Sequence, residues 1–267
     1  MHSPLSHTFF ILAYEDSPYL EECIHSLKEQ TIKSQIFITT STPSKFLEDI
    51  SNRYNIGILI NNENRGIASD WSFAYDKCTT EYVTLAHQDD IYLPMYTELC
   101  LNQIKSSYQD RPLIIFTKYK ELINPNMRRF SPNLFIKDIL LLPFLLKQSV
   151  KSIFIKKILL YFGNPIPCPT VLYDKRELGK FAFGDNFSCN MDWDAWLRLA
   201  TIKGSFIYVN KTLVLHRINK ATQTSKKITE KIRQREDALI FQRLWPKPIA
   251  SLLAKVYSLA TVFNKTK

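Results

Sequence analysis

Short apolar runs alternate with amphipathic segments through the first 120 residues of the chain. The runs at residues 8–13, 35–40, 56–60 and 81–86 are rich in aromatic and β-branched residues and predict buried strands. The segments between them predict helices over about residues 17–30, 43–54 and 67–78, the first of which starts at Ser17 and Pro18. Strands and helices alternating at this spacing indicate an α/β fold with a parallel, doubly wound sheet.

The pattern changes in the second half of the chain. A helix to about residue 108 and a strand at 112–117 complete the N-terminal half of the chain, residues 1–120, which has the pattern of a nucleotide-binding domain. Residues 119–165 interleave Lys and Arg with Leu, Ile and Phe, and predict two amphipathic helices around Pro143, basic on one side. This region is either a surface that faces an acceptor or anionic lipid, or a packed helical pair with a solvated lysine face.

Two more regions follow. Residues 164–173 are a proline-rich entry to another strand, and residues 206–215 contain two short strand-like runs, so residues 121–225 form a second region. Residues 226–267 predict a charged helix through Leu244 and then a basic amphipathic segment. This tail fits either docking on a membrane surface or packing on the domain.

Composition narrows the class of protein. The 267 residues are 45% hydrophobic and 22% charged, which is typical of a folded protein with its own core. The net charge of +10 favours anionic partners, namely nucleic acid, an anionic membrane surface or phosphorylated substrates. The basic residues are spread among apolar ones without an RNA-binding motif, so we expect no nucleic acid partner.

The cysteines and the termini bear on localisation. Five scattered cysteines without a C-x-x-C pair fit reduced thiols in a cytoplasmic protein. Residues 1–8 lack the features of a signal peptide, and the most apolar stretch, 139–146, is short and contains Pro143. We therefore expect a cytoplasmic chain without a spanning helix, either free or peripheral on the inner face of the cell membrane.

Two adjacent carboxylates, Asp89 and Asp90, follow the buried run at 81–86. Adjacent carboxylates repel one another unless a cation lies nearby, and ligands of open α/β sheets bind at the carboxyl ends of strands. Oxygen ligands suit hard cations, so the pair indicates a site for Mg²⁺ or Mn²⁺ and phosphate. The alternative is an Asp-rich turn that merely ends a strand.

A second acidic pair lies in the sequence MDWDAWLRLA. Its apolar residues have the i, i+3, i+4, i+7 spacing of a helix with one apolar face: Trp193, Trp196, Leu197 and Ala200. Asp192 then lies in the first turn and Asp194 roughly 200° around the axis from it. Asp192 is the better candidate for an exposed general base, while the alternative is that both acids stabilise the helix N-terminus.

Residues His216 and Arg217 end the last strand-like run. His216 is a candidate metal ligand and Arg217 a candidate phosphate partner. A single histidine at the end of an apolar run is also commonly structural.

Taken in order, three blocks of sequence resemble the family 2 glycosyltransferases of the GT-A fold, in particular those of bacterial cell-surface polysaccharides. The blocks are FFILAYEDSPYLEECIHSLKEQT, NENRGIASDWSFAYDKCTTEYVTLAHQDDIYLP and MDWDAWLRLA. The resemblance covers about residues 8–120 and 164–225. It implies a Rossmann-like, mostly parallel sheet flanked by helices, with residues 121–225 on the acceptor side and a C-terminal amphipathic helix.

The resemblance also implies an activity. It implies inverting, metal-dependent transfer of a sugar from a nucleotide diphosphate sugar, with a UDP-sugar favoured, to a saccharide or lipid-linked saccharide. The Q-x-x-R-W motif of processive synthases is absent, which favours transfer of a single sugar.

Site residues follow from the same resemblance, position by position. On the donor side, the resemblance implies that the nucleoside pocket is lined by Ala13, Tyr14 and Glu15 and that Asp70 lies near the nucleotide. Asp90 is implied to support the metal or the sugar. Asp89 matches the last acid of the family's D-x-D motif and is implied to hold Mn²⁺ or Mg²⁺. In the family's yRiH motif, whose histidine lies near the metal, Asn219 takes the position of the histidine and His216 that of the aromatic residue, so both are candidate metal ligands. Asp192 matches the catalytic base.

Departures from the family pattern favour an alternative, a non-catalytic GT-A-like partner subunit of a glycosyltransferase complex. His87 replaces the first acid of D-x-D, Met191 replaces the acid before the base, and residues 39–41 lack the usual aspartate of the second strand. A nucleotidyltransferase on a similar sheet is a third hypothesis, disfavoured because residues 13–18 contain no Gly, Lys or Arg to grip a triphosphate.

Overall fold

The computed structural model describes residues 6–62, 66–123, 126–127, 132–218 and 223–262. The strands are β1 His7–Ala13, β2 Gln35–Thr40, β3 Gly57–Ile60, β4 Tyr82–His87, β5 Ile91–Tyr92, β6 Pro112–Ile123, β7 Asn126–Met127, β8 Ser149–Val150, β9 Val171–Asp174 and β10 Ser205–Arg217. The helices are α1 Leu20–Lys28, α2 Lys45–Tyr54, α3 Ile67–Lys77, α4 Tyr96–Ser106, α5 Pro132–Leu140, α6 Leu142–Leu146, α7 Ile153–Tyr161, α8 Lys175–Leu178, α9 Met191–Leu199, α10 Gln223–Leu244 and α11 Lys247–Val262.

The described strands form one sheet with the order β3-β2-β1-β4-β9-β6-β10-β5. In addition, β7 pairs with β6 and β8 pairs with β10. Strand β1 pairs in parallel with both β2 and β4, β2 pairs in parallel with β3, and β6 with β10. The prediction of a parallel α/β sheet is thus confirmed for this part. Strand β9 differs, because it lies antiparallel between β4 and β6, and β5 is antiparallel to β10.

Alternate residues of β1 pack into two different cores, one on each face of the sheet. Phe9 and Ile11 belong to one apolar cluster and Phe10 to the other. Since successive side chains of a strand point to opposite faces, the sheet is covered by helices on both sides, as the continuous apolar runs predicted.

The region after residue 117 differs from its prediction in three ways. Strand β6 continues to Ile123 because it pairs along its length with β10, which is one strand with irregular register near Val209 rather than two short runs. Three helices, not two, occupy the segment predicted around Pro143. This proline lies in the first turn of α6, where its missing N–H has no helical partner to lose.

The C-terminal helices pack on the domain. Phe241 of α10 and Ala250 of α11 are buried in the same core as Trp193, and the Trp245 indole donates to the carbonyl of Tyr161 at 2.9 Å. Of the two alternatives for the tail, packing is therefore the one that the structure shows for these residues. Among the described residues, no helix is long and apolar enough to cross a membrane.

Candidate functional site

The carboxyl ends of β1 to β4 meet at one edge of the sheet, because these strands are parallel neighbours. Ala13 ends β1, is buried, and pairs with Thr40. Tyr14 is 59% exposed just beyond it. Glu15 adopts a left-handed φ of 56° and donates its backbone N–H to the Thr42 hydroxyl at 2.7 Å. The loop implied to line a nucleoside pocket therefore exposes an aromatic face on a fixed backbone.

Asp70 joins the ends of two strands to helix α3. Its two carboxylate oxygens accept from the Ser41 hydroxyl and from the Asn61 side-chain amide, both at 2.8 Å. Asp70 thus lies beside the strand ends, and both of its oxygens hold the loops after β2 and β3. Its proximity to a bound nucleotide stays a prediction.

The loop after β4 is tied to the loop after β1. Ser17 donates its hydroxyl to the Asp89 carboxylate, and the Gln88 side-chain amide donates to the Tyr14 carbonyl at 2.8 Å. Asp89 is half-buried. Gln88 was not singled out from the sequence, since a glutamine between charged residues carries no distinguishing pattern.

Asp90 lies on the other side of the same loop and is buried against β10. Its carboxylate lies 2.9 Å from His216 Nδ1 and accepts the Arg217 backbone N–H at 2.9 Å. An ionised carboxylate only accepts, so Nδ1 carries the proton and Nε2 is left as the ring atom that can bind a cation. Asp90 therefore orients His216.

The Asp90–His216 pair perturbs both groups. Burial alone would raise the pKa of Asp90, but the charge and hydrogen bond of His216 outweigh burial and lower this pKa. Burial likewise opposes charge on His216, yet Asp90 raises the pKa of this imidazole above 6.5. A proton on Nε2 must leave before a cation binds there.

Arg217 does not have the exposed position expected of a phosphate partner. Its side chain is 1% exposed and pairs with Glu22, while its Nε donates to the Asp89 carbonyl at 2.9 Å. The guanidinium carbon lies 4.1 Å from the centre of the Tyr19 ring. Arg217 thus holds the Asp89 loop against α1, because acidic and aromatic partners on that helix bind its guanidinium.

His87 occupies the first position of the D-x-D motif without supplying its charge. Burial lowers the pKa of His87, so the ring is neutral at pH 7. Its Nε2 atom is buried and has no hydrogen-bond partner among the described residues, and its ring centre lies 5.2 Å from that of Trp71. A neutral imidazole can bind a transition-metal ion, but it does not offset the charge of a divalent cation as a carboxylate does.

Within the described ranges, no group of three or more His, Cys, Asp or Glu side chains has an arrangement that would hold a metal ion by itself. The Asp89 carboxylate and the Nε2 atom of His216, whose Nδ1 atom contacts the neighbouring Asp90, are candidate donors for a cation. Mg²⁺ and related ions are commonly held by one or two protein ligands together with substrate phosphates, which is the type of site that this donor set fits. Asn219, the other candidate ligand, lies outside the described residues.

Asp192 lies in the first turn of α9 and is half-buried, not exposed as predicted. Its carboxylate accepts the Trp193 backbone N–H at 2.7 Å. Burial raises the pKa of Asp192, although this hydrogen bond, the positive charges of Arg233 and Lys137, and the Asn164 side chain act in the opposite direction. A carboxylate with a raised pKa is a characteristic of acid–base sites.

Asp194 has different surroundings from Asp192. It forms ion pairs with Arg198 at 3.1 Å and with Arg243 at 3.4 Å. The two acids therefore have separate sets of partners, and Asp194 stabilises the packing of α9 against α10.

Helix α10 holds the segment that precedes Asp192. Glu236 accepts the backbone N–H groups of residues 188, 189 and 190 at 2.7, 2.9 and 3.0 Å. Asp237 accepts from the Asn190 side-chain amide at 2.7 Å, while Asn190 itself gives α9 no side-chain cap. Glu236 and Asp237, here called the acidic clamp, were missed because they lie in a charged stretch that resembles any solvated helix.

Lys137 and Tyr119 lie close to both acidic centres of the site, one of which contains Asp89 and Asp90 and the other Asp192. Lys137 donates to the Tyr119 hydroxyl at 3.0 Å, and the Tyr119 ring meets the His216 ring edge-on with centres 6.2 Å apart. The charge of Lys137 also acts on Asp192. Helix α5 and strand β6 thus connect the Asp89–His216 side of the site with the Asp192 side.

Comparison with solved structures identifies the class of this fold. The chain matches residues 1–349 of S. aureus TarS in complex with UDP-GlcNAc with a TM-score of 0.63 at 12% identity, over 93% of this chain and 70% of that one. It matches the mannosyltransferase PcManGT from Pyrobaculum calidifontis in complex with GDP-Man and Mn²⁺ with a TM-score of 0.62 at 13% identity, over 94% and 69%. The fold is that of the GT-A glycosyltransferases.

The sequence identifies the family. The model of Glycosyl transferase family 2 matches residues 8–161, more than half of the chain, and the chain therefore belongs to this family. It is also 23% identical over 228 residues to the uncharacterized glycosyltransferase MJ1057 of Methanocaldococcus jannaschii, over 82% of this chain and 72% of that protein. The resemblance seen in the three sequence blocks is confirmed, whereas the bacterial surface-polysaccharide type stays a prediction.

Proposed function

We propose that this family 2 glycosyltransferase transfers one sugar, with inversion, from a nucleotide diphosphate sugar to a hydroxyl of a saccharide or lipid-linked saccharide. The observation that supports the proposal is the presence of two separate acidic centres, with Lys137 and Tyr119 close to both of them. Asp89 and the oriented His216 form one of them, and the half-buried Asp192 forms the other. Displacement of a diphosphate by a hydroxyl needs one centre for the leaving group and another for the nucleophile.

The donor side fits a nucleotide diphosphate. The exposed Tyr14 ring offers a face to the base, and the Asp70 bonds fix the loops around it. A Mn²⁺ or Mg²⁺ ion held by Asp89 and His216 would neutralise the charge that develops on the leaving diphosphate. TarS and PcManGT were solved with UDP-GlcNAc and with GDP-Man and Mn²⁺ respectively, which supports a nucleotide-sugar donor for this fold, and we favour a UDP-sugar.

The acceptor side fits general base catalysis by Asp192. The pKa of this carboxylate is raised toward neutral pH, so Asp192 is a stronger base for the proton of an attacking hydroxyl than an exposed aspartate is. The positive charges of Lys137 and Arg233 act against this rise in pKa and so favour the ionised carboxylate. Attack in line with the departing diphosphate inverts the anomeric configuration.

The proposal is tested by donor turnover with matched aspartate variants. We expect the wild type to hydrolyse or transfer from at least one nucleotide sugar in the presence of Mn²⁺. Asp192→Asn should lower kcat by about a hundredfold or more, the range of acid–base catalysis, while Asp194→Asn on the same helix keeps most activity. A product that retains the donor's anomeric configuration, or full activity in Asp192→Asn, would contradict the mechanism.

One observation favours a second candidate, a non-catalytic partner subunit. His87 leaves the D-x-D motif without its first carboxylate, and its buried Nε2 atom has no hydrogen-bond partner within the part of the chain that the structure describes. This candidate predicts a wild type that turns over no nucleotide sugar and co-purifies with a catalytic transferase.

A further inference from the structure

Helices α5 and α6 expose apolar side chains on their outer surface. The exposed fractions are 58% for Phe135, 47% for Ile139, 52% for Leu142, 53% for Leu145 and 93% for Leu146. These five residues are called the α5–α6 apolar surface below. Burial of such side chains is normally favourable, so a contiguous exposed group of them indicates a contact surface.

The surface is contiguous. Four of its members line a single groove of about 250 Å³, together with Lys118, Asp138 and Asn210 at its polar side: Phe135, Ile139, Leu142 and Leu145. Leu146 follows Leu145 at the end of α6. The described structure does not cover this groove with its own chain.

Two lysines of the same region, Lys137 and Lys156, do not belong to the solvated face that the sequence allowed. Lys156 is buried and donates to the carbonyls of Ile202 and Gly204 at 2.7 and 2.8 Å. Lys137 points to Tyr119 inside the site. The apolar side chains face outward instead, which is the reverse of an ordinary surface helix.

The charge of the region selects the kind of partner. Residues 132–161 contain five lysines and a single acidic residue, and the whole chain carries +10. Lys147 is exposed directly beside Leu146. An apolar surface bordered by cations complements the interface of an anionic bilayer, whose negative surface potential attracts lysines while its acyl region takes the apolar side chains. In a symmetric pair of copies, the same lysines would face one another and repel.

The α5–α6 apolar surface lies next to the candidate site, which agrees with a bilayer as its partner. Helix α5 carries Phe135 and Ile139 on the outside and Lys137 toward Asp192. A bilayer that contacts α5 therefore lies beside the carboxylate proposed as base, where a lipid-linked acceptor would present its sugar.

We propose that the α5–α6 apolar surface docks this chain on a bilayer that contains anionic phospholipid. The delivery of a lipid-linked acceptor to Asp192 rests on the proposed function, whereas the docking itself does not require it.

Co-sedimentation with vesicles tests the docking. The wild type should pellet with vesicles of phosphatidylcholine and phosphatidylglycerol, and should remain in the supernatant with phosphatidylcholine alone. The double variant Leu145→Glu/Leu146→Glu should weaken partitioning by about tenfold or more, because two apolar contacts are replaced by charges of the wrong sign. Lys147→Glu should weaken it as well, and added salt should reduce the binding of the wild type.

Matched controls make each outcome decisive. Ile60→Glu changes an apolar residue that is 42% exposed on β3, at the far end of the sheet order, and should leave vesicle binding unchanged. Equal binding of the Leu145/Leu146 variant and the wild type would overturn the proposal. So would a wild-type dimer that binds no vesicles and becomes monomeric in this variant, because a second copy would then cover the surface. The Tm of the wild type and of the Leu145/Leu146 variant shows whether each protein is folded. The rise in Tm on adding a nucleotide shows whether the proposed donor site is intact, independently of vesicle docking.

Discussion

The acidic clamp gives the sharpest prediction about positioning of the base. In wild type, the Glu236 carboxylate accepts three backbone N–H groups from residues 188–190, at 2.7 to 3.0 Å, and Glu236 is 7% exposed. Glu236→Gln keeps the size of the side chain but removes the charge and turns an amide N–H₂ group toward at least one backbone donor. Three acceptor contacts are thereby reduced to two at most.

The cost can be worked from these contacts. Hydrogen bonds to charged groups contribute about 1.5–3 kcal/mol each, and a buried donor left without an acceptor costs about 1–3 kcal/mol. We expect Glu236→Gln to lower the free energy of unfolding by about 2–4 kcal/mol. Displacement of Asp192, which follows the clamped segment by two residues, should lower kcat by about 10- to 100-fold, with KM for the donor unchanged because the donor side lies on other strands.

Urea unfolding and steady-state kinetics measure the two effects. Gln234→Ala, an exposed position on the same helix, is the matched control and should change neither quantity. Glu236→Asp, which keeps the charge on a shorter side chain, should recover part of kcat. Loss of stability without loss of kcat would show that the clamp stabilises the fold but does not position the base, and wild-type stability in Glu236→Gln would refute the hydrogen-bond reasoning.

Three further outcomes are expected. Burial raises the pKa of Asp237 from 3.8 to about 6, so the free energy of unfolding of the wild type should fall as the pH rises through this window. In urea unfolding, Asp237→Asn should match the wild type at pH 4 and be more stable than the wild type at pH 8 by up to about 3 kcal/mol. His87→Asp places a second carboxylate near Asp89, and should lower Tm without divalent cations and increase the rise in Tm on adding Mn²⁺. Asp70→Ala removes the acceptor of both the Ser41 and the Asn61 hydrogen bonds, and calorimetry should show nucleotide affinity weakened by about tenfold.

The first half of the fold could be predicted from sequence because its signal is local. Continuous apolar runs mark β1, β2 and β4, and their parallel pairing follows from the helices between them. Strand β9 could not be placed in the same way. It has four residues, and its partners on β4 and β6 are distant in sequence, so nothing local sets its direction or position.

The same difference between local sequence signals and long-range contacts applies to the candidate site. Asp89 lies just beyond a strand end, as its local sequence predicted. The contact of Asp90 with His216 joins residues 126 positions apart, and the pairing of Arg217 with Glu22 joins residues 195 apart. Such partners decide whether a side chain is exposed or engaged, and they are set by the packing of β10 against the β4 loop rather than by sequence pattern.

Metal-dependent nucleotide binding is the most direct test of the central claim. Thermal unfolding should be measured with UDP, GDP, CMP, TDP and their sugars, each with and without Mn²⁺ or Mg²⁺, in the wild type and in Asp89→Asn. A glycosyltransferase site at the β4 end predicts that one nucleotide raises Tm only with the cation, and that Asp89→Asn abolishes this rise. The absence of any shift in the wild type, or an equal metal-dependent shift in Asp89→Asn, would contradict the account.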